Sequence, residues 1–180
     1  MGNASTIEGE ILYSIWPQSY FVESRKTLTL GDLATLLHTI LFAYQKSVRD
    51  ILGSGAAIFV QPVLTTVNLL HEKFNIPIIQ GQNIEEVMEN YAKLLMSSGL
   101  VKSATVEKLP QEGYVFRIEG CTLNPNGEVH ELLKPEDVTC PLALVAQAIY
   151  SKASGKKIAA TDTIYKRDLA VTEIKPLPSS

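Results

Sequence analysis

Two cysteines and one histidine are the residues of this chain whose types and spacing could support metal binding or thiol chemistry. Cys121, His130 and Cys140 all flank the long connection between a predicted β-hairpin and the helix that follows it. Cys140 falls in the first turn predicted for that helix, where the helix dipole lowers a thiol pKa and favours a reactive thiolate. The three side chains are too loosely spaced to match a zinc-binding pattern, so a metal site has little support.

Burial is the competing interpretation of these thiols, because free cysteine commonly packs as a small hydrophobic residue. Val138, Leu142 and Leu144 place Cys140 in an apolar stretch, and no basic residue or histidine lies within one helical turn after it. We therefore predict that Cys140 is a core residue, and we expect no metal and no cofactor. His38 and His71 lie among apolar helix positions and are predicted to be hydrogen-bonded helix residues rather than ligands.

The chain lacks the common motifs of other chemistries. There is no phosphate-binding glycine loop, no Gly-x-Ser-x-Gly elbow and no paired zinc-finger spacing. His71-Glu72 lacks the second histidine of a metalloprotease helix, because position 75 is asparagine. The sequence therefore favours a protein without catalytic activity.

Length and composition indicate one globular domain over residues 1–180, with an irregular entry segment at 1–28 and a loose tail at 176–180. Sixteen Lys and Arg against 19 Asp and Glu give a net charge of -3 without charged blocks, which argues against nucleic-acid binding.

No apolar run of the sequence approaches the roughly 20 residues that span a bilayer. The 2 cysteines fit a reducing cytoplasm. The opening MGNAST also fits a pattern for myristoylation of Gly2, against the simpler interpretation of a frayed polar terminus.

Three helices are predicted in the first half of the chain. Thr29 and Asp32 resemble a capping box before an amphipathic helix over residues 30–52, which Gly53 and Gly55 end. A second helix runs from about residue 60 to 74. Asn83 is predicted to cap a third helix, which ends at Gly99.

Period-two patterns in the second half predict two β-hairpins. Residues 100–109 and 114–123 form the first, and residues 157–165 and 169–175 form the second. Between them, Thr139 is predicted to cap a helix that Gly155 ends. The expected fold is α+β, with N-terminal helices packed on an antiparallel sheet of two hairpins separated by a helix.

Apolar helix faces supply the candidate binding residues. Met88, Tyr91 and Leu95 form a stripe that is either core or the wall of a pocket for an aliphatic ligand, and the sequence leaves both open. The helix over residues 30–52 and the next helix also carry more large apolar residues than one face of a small sheet can cover, including Phe42 and Phe59. Such a surplus predicts an interface, and we expect a homodimer through the N-terminal helices.

Residues 99–175 resemble a superfamily that contains the TRAPP vesicle-tethering subunits and the four-vinyl-reductase-type small-molecule-binding domains. The resemblance lies in the first hairpin, in the helix LALVAQAIYSKASGKK and in the closing pair AATDTIYKRDLAVTEIK. It implies an α+β fold, dimerisation through the N-terminal helices and an apolar pocket that holds an acyl chain in some members. Vinyl-reductase-type domains often carry several cysteines near the last helix and hairpin, whereas this chain has only Cys140 there, which counts against metal binding.

Two functions follow as expectations. The first is a non-catalytic domain that binds or senses a small hydrophobic, acyl-type ligand, with Met88, Tyr91, Leu95, Cys121 and Cys140 as candidate contacts. The second is a TRAPP-like dimeric scaffold that mediates protein–protein contacts, in which case the helix over residues 30–52 should be apolar over an unusually wide face. A reductase activity follows only from the historical name of the superfamily, since no nicotinamide-binding or flavin-binding motif is recognisable.

Overall fold

The computed structural model describes residues 29–52, 56–124, 127–131, 138–159 and 161–177, which form an α+β fold. The predictions for residues 1–28, for the helix stops at Gly53 and Gly55 and for the end of the tail lie outside these residues. In chain order the elements are α1 (Leu30–Leu52), α2 (Ala56–Phe74), α3 (Ile84–Ser97), β1 (Ser103–Lys108), β2 (Tyr114–Glu119), α4 (Glu128–Glu131), α5 (Pro141–Ser154), β3 (Ile158–Ala159), β4 (Thr163–Tyr165) and β5 (Leu169–Pro176).

The strands form one antiparallel sheet in which β2 and β5 are central. β1 pairs with β2, β2 pairs with β5, and both β3 and β4 pair with β5 along different parts of its length. The two predicted hairpins, β1–β2 and β4–β5, are therefore present and joined into one sheet. Gly113 in the first hairpin turn has a φ of 131° and lies against the Ile174 carbonyl of β5, where a Cβ would clash.

Alternation along the central strands gives the sheet one buried face. Phe116 and Ile118 of β2 and Ile174 of β5 point into this face and are buried. Helices α3 and α5 pack on the sheet and on each other, and α2 packs on α5. The main hydrophobic core thus lies between the sheet and α2, α3 and α5.

Most predicted helix ends are confirmed by their hydrogen bonds. The backbone N–H of Thr29 donates to Asp32 Oδ2 at 2.9 Å, and the Asp32 N–H donates to Thr29 Oγ1 at 3.1 Å, which completes the capping box. Asn83 Oδ1 accepts from the Glu86 N–H at 3.0 Å. Gly155 ends α5 in the left-handed conformation, with a φ of 68°.

The start of α5 differs from the prediction. Thr139 is not its cap: the Thr139 hydroxyl donates to the Thr161 carbonyl at 3.0 Å, and the N-cap is Cys140, which has no side-chain capping bond. Thr163 of β4 holds this end of α5 instead, because its Oγ1 accepts a hydrogen bond from the Cys140 N–H at 2.8 Å. The hydroxyl of Thr163 also bonds that of Thr172 at 2.7 Å. The loop before α5 is therefore anchored on the sheet rather than closed by a local cap.

Candidate functional site

The five residues predicted to contact a ligand are brought together by the fold. Met88, Tyr91 and Leu95 point from α3 into the main core, which also contains Cys121 and Cys140. The Tyr91 hydroxyl donates to the Leu142 carbonyl at 3.0 Å, and its ring stacks on Phe116 with a centroid distance of 5.8 Å. The stripe on α3 is therefore part of the core, with its one polar group satisfied.

Both thiols are free, buried and protonated at neutral pH. Burial raises the pKa of Cys140 to about 12 and outweighs the opposing effect of the Ala143 backbone N–H at the start of α5. Burial also raises the pKa of Cys121. The prediction that Cys140 is a core residue is confirmed. The alternative, a reactive thiolate at the start of the helix, is not supported, because desolvation raises the thiol pKa by more than the helix start lowers it.

His130 is not grouped with the two thiols as a metal site. Its ring lies 5.7 Å from that of His38 and 4.8 Å from that of Tyr165, measured between centroids. This cluster lies beside a small second core of Phe42, Val129 and Val138. Within the described residues, no three His, Cys, Asp or Glu side chains are placed to hold one metal ion.

Four polar atoms in this cluster are buried without a hydrogen-bond partner in the described part of the chain. They are Nε2 of His38, both ring nitrogens of His130 and the hydroxyl oxygen of Tyr165. The other nitrogen of His38, Nδ1, lies 2.8 Å from the Leu123 carbonyl oxygen. Because a carbonyl only accepts, Nδ1 carries the proton, and the Nε2 of a neutral His38 presents its lone pair to the cluster.

Both imidazoles are neutral at physiological pH. Burial lowers the pKa of His38. Burial, and then the proximity of His38, lower the pKa of His130 to about 4 against the opposing influence of the Lys166 backbone and the Asp168 carboxylate. The cluster is therefore a desolvated site in which neither histidine is charged.

Helix α1 is attached to the rest of the molecule through a mostly polar strip of side chains, which we name the inner stripe: His38, Phe42, Gln45 and Arg49. Gln45 binds both backbone groups of Thr139, donating to the carbonyl at 3.0 Å and accepting from the N–H at 3.1 Å. Arg49 makes two parallel hydrogen bonds of 2.9 Å to the Asp162 carboxylate. These fixed geometries define the position of α1.

The apolar face of α1 points away from the body of the protein. Nine large apolar side chains on this helix, which we name the outer stripe, are between 42% and 83% exposed: Leu30, Leu33, Leu36, Leu37, Ile40, Leu41, Tyr44, Ile51 and Leu52. At about 100° per residue, the centres of the two stripes lie about 130° apart, and the outer stripe is about 160° wide. The expectation that Phe42 is surplus is wrong, because Phe42 is buried and packs edge-on against Tyr165 at 5.6 Å.

The outer stripe is unusually large for the surface of a monomer. Taking roughly 200 Å² for a fully exposed large side chain, the stripe exposes on the order of 1,000 Å². The largest apolar patch of a typical monomer covers about 300–600 Å². Tyr44 extends the stripe towards α2, because its ring centroid lies 5.9 Å from that of Phe59 on α2.

None of the helices in the described residues combines the length and apolar character needed to cross a bilayer.

Comparison with protein-family models, with curated proteins and with solved structures finds no match for this chain. The resemblance to TRAPP subunits and vinyl-reductase-type domains therefore stays a prediction.

The inner stripe and the histidine pair were missed at the level of sequence. Gln45 and Arg49 fall among polar residues of an amphipathic helix, where solvent exposure is the ordinary expectation. The available signal was that His38, Phe42, Gln45 and Arg49 recur at spacings of four, three and four residues and so share a helix face. That signal does not name the partners Leu123, Thr139 and Asp162, which are distant in sequence.

Proposed function

We propose that this protein is an assembly module that forms a homodimer through the outer stripe of α1. The observation that supports this function is the exposure of nine large apolar side chains on a helix whose docked side is already occupied by polar anchors. Exposing about 1,000 Å² of apolar surface to water costs on the order of 25 kcal/mol, at about 25 cal/mol per Å². Covering this surface by a partner recovers part of that free energy.

A second copy of the chain suits this surface by area and by composition. A stable protein interface buries about 800 Å² on each partner, which the outer stripe supplies without any rearrangement of the body. The stripe contains no charged side chain, so two copies related by a twofold axis meet without placing like charges opposite each other. The outer stripe is wider than the narrow apolar seam of a two-stranded coiled coil. This width favours a broad interface in which α1 of one copy packs against both α1 and α2 of the other copy.

Sedimentation equilibrium tests the dimer directly. At about 1 to 50 μM, a concentration range that detects micromolar association, we expect a mass twice that of the 19.8 kDa chain. A mass of 19.8 kDa throughout this range would refute the homodimer.

Binding of a small hydrophobic ligand is the second candidate function. Its support is the convergence of Met88, Tyr91, Leu95, Cys121 and Cys140 in one apolar region between α3, α5 and the sheet. In this structure Met88 is 0% exposed and the Tyr91 hydroxyl is bonded to the backbone, so an acyl chain has to displace core side chains to enter. The geometry therefore supports ligand binding less directly than it supports assembly.

Native mass spectrometry of the protein purified from its own host tests the ligand hypothesis. The hypothesis predicts a bound small molecule or fatty acid and a rise in melting temperature of at least about 2–4 °C when fatty acids are added at saturating concentration. Absence of both a co-purifying molecule and a thermal shift would rule out this function.

A further inference from the structure

The buried histidine pair lies where the N-terminal half of α1 meets the rest of the molecule. His38 is 2% exposed and His130 is 3% exposed, and each ring has a nitrogen without a hydrogen-bond partner among the described residues. We propose that the pair makes the docking of α1 proton-sensitive: on acidification His38 and His130 take up protons, and the N-terminal half of α1 separates from the body.

Docking and protonation oppose each other because of the geometry of the pair. A proton on each ring places two positive charges on centroids that are 5.7 Å apart in a desolvated site. The new N–H of His38 has no acceptor in the described part of the chain, since Nε2 is unpartnered there. Separation of α1 from α4 and β4 exposes both rings to water, which removes both penalties.

Among the described residues, the surroundings of the pair supply little compensating negative charge. His130 faces the neutral phenol of Tyr165 on β4, whose pKa is raised by burial, the Lys166 backbone, which favours the protonated ring, and the carboxylate of Asp168 before β5, which is exposed. His38 faces Phe42 on its own helix and the Leu123 carbonyl, which accepts a hydrogen bond in either charge state. No hydrogen bond joins Asp168 to either histidine within the described residues.

The pH range of the effect follows from the pKa difference between docked and released forms. Released histidines titrate near the ordinary pKa of 6.5, while burial holds the pKa of docked His130 at about 4 and lowers that of His38. Between these values the released form binds more protons, so falling pH favours release. Docking is fully stable above about pH 6.5 and weakens as the pH falls towards about 4.

The N-terminal half of α1 is expected to separate from the body before the C-terminal half. The anchors at the C-terminal end are Gln45, which does not titrate, and the two parallel hydrogen bonds of Arg49 to Asp162. The N-terminal half contains Leu30, Leu33 and Leu37 of the outer stripe, and its buried side chains in the described structure are His38 and Phe42. Because the released half contains part of the outer stripe, acid would also weaken the dimer. That second effect rests on the proposed homodimer, whereas release of α1 itself does not.

Hydrogen exchange of the full-length protein tests this inference. Peptides from residues 30–42 should lose protection by roughly tenfold or more between about pH 7.5 and about pH 5, after correction for intrinsic exchange rates, while α3 and α5 keep theirs. In His130→Leu, which keeps an apolar side chain of similar volume and removes one titrating ring, the loss should be clearly smaller than in the wild type, because only His38 still takes up a proton. His38→Asn, whose amide can still donate to the Leu123 carbonyl, is a second variant and should also lose less protection than the wild type. His71→Asn on α2 is the matched control and should behave as the wild type.

Two results would overturn the inference: equal protection of residues 30–42 at both pH values in the wild type, or an equal loss in both His130→Leu and His38→Asn. Sedimentation of the same samples at about pH 7.5 reports the dimer separately. A monomer that still loses protection on acidification refutes the homodimer and leaves the proton-sensitive docking intact.

Discussion

The paired substitution Leu37→Glu and Ile40→Glu is expected to convert the homodimer into a monomer. Both side chains are 53% exposed in the single chain and lie near the middle of the outer stripe. In a twofold dimer each substitution appears twice, so four carboxylates enter one apolar interface and lose hydration without gaining partners. We expect the dissociation constant to rise by at least about 1,000-fold, which corresponds to about 4 kcal/mol. Sedimentation velocity over a dilution series measures this change.

Thr39→Glu is the matched control for this prediction. Thr39 is exposed on the same helix, lies outside both stripes and bonds only the Thr35 carbonyl of the preceding turn. It should leave the dissociation constant within about threefold and the free energy of unfolding within about 0.5 kcal/mol. A double variant that remains dimeric, or a Thr39→Glu variant that dissociates equally, would place the interface elsewhere.

Replacing Phe116 by alanine is expected to cost about 3–5 kcal/mol of unfolding free energy, a large part of the total for a domain of this size. Phe116 is 0% exposed, lies on β2 between β1 and β5, and stacks on Tyr91. Its removal leaves a cavity where the sheet meets α3, and the paired strands on both sides limit collapse into it. Urea unfolding followed by circular dichroism measures the loss.

Two further substitutions separate the cavity effect from a general weakening of the sheet. Phe116→Leu fills most of the volume and should cost about 1–2 kcal/mol. Ile164→Ala on β4 removes a 54% exposed side chain from the same sheet and should cost less than about 1 kcal/mol. Equal losses for Phe116→Ala and Ile164→Ala would contradict the assignment of the core to this face of the sheet.

Local patterns were sufficient to predict four of the helices and the two hairpins, but not the short helix α4 or the division of residues 157–165 into β3 and β4. Thr29 with Asp32, Asn83 and Gly155 are short-range signals whose hydrogen bonds or backbone angles depend on neighbours within a few residues. The hairpins follow in the same way from alternation and turn residues. Thr139 was assigned wrongly as a cap because its hydroxyl instead bonds Thr161, in the segment after α5, a contact that no local pattern encodes.

The orientation of α1 could not be obtained from the same kind of reasoning. Periodicity shows which residues share a face, but it does not show whether that face is covered by the same chain. The polar side chains of Gln45 and Arg49 dock on the body, and the leucines remain outside. The candidate site shows the same limit: the thiols were predicted to be buried, but the pairing of His130 with His38 depends on where α1 lies.

The inner stripe has a consequence for the order of events during synthesis. Its hydrogen bonds join residues that are 85, 94 and 113 positions apart, to Leu123, Thr139 and Asp162 respectively. Helix α1 leaves the ribosome well before any of these partners, at about 5–20 residues per second. It cannot complete its docking until the segment up to Asp162 has been made. The leucine-rich face, which docking does not cover, is exposed throughout this interval, so assembly between chains can precede completion of the fold within one chain.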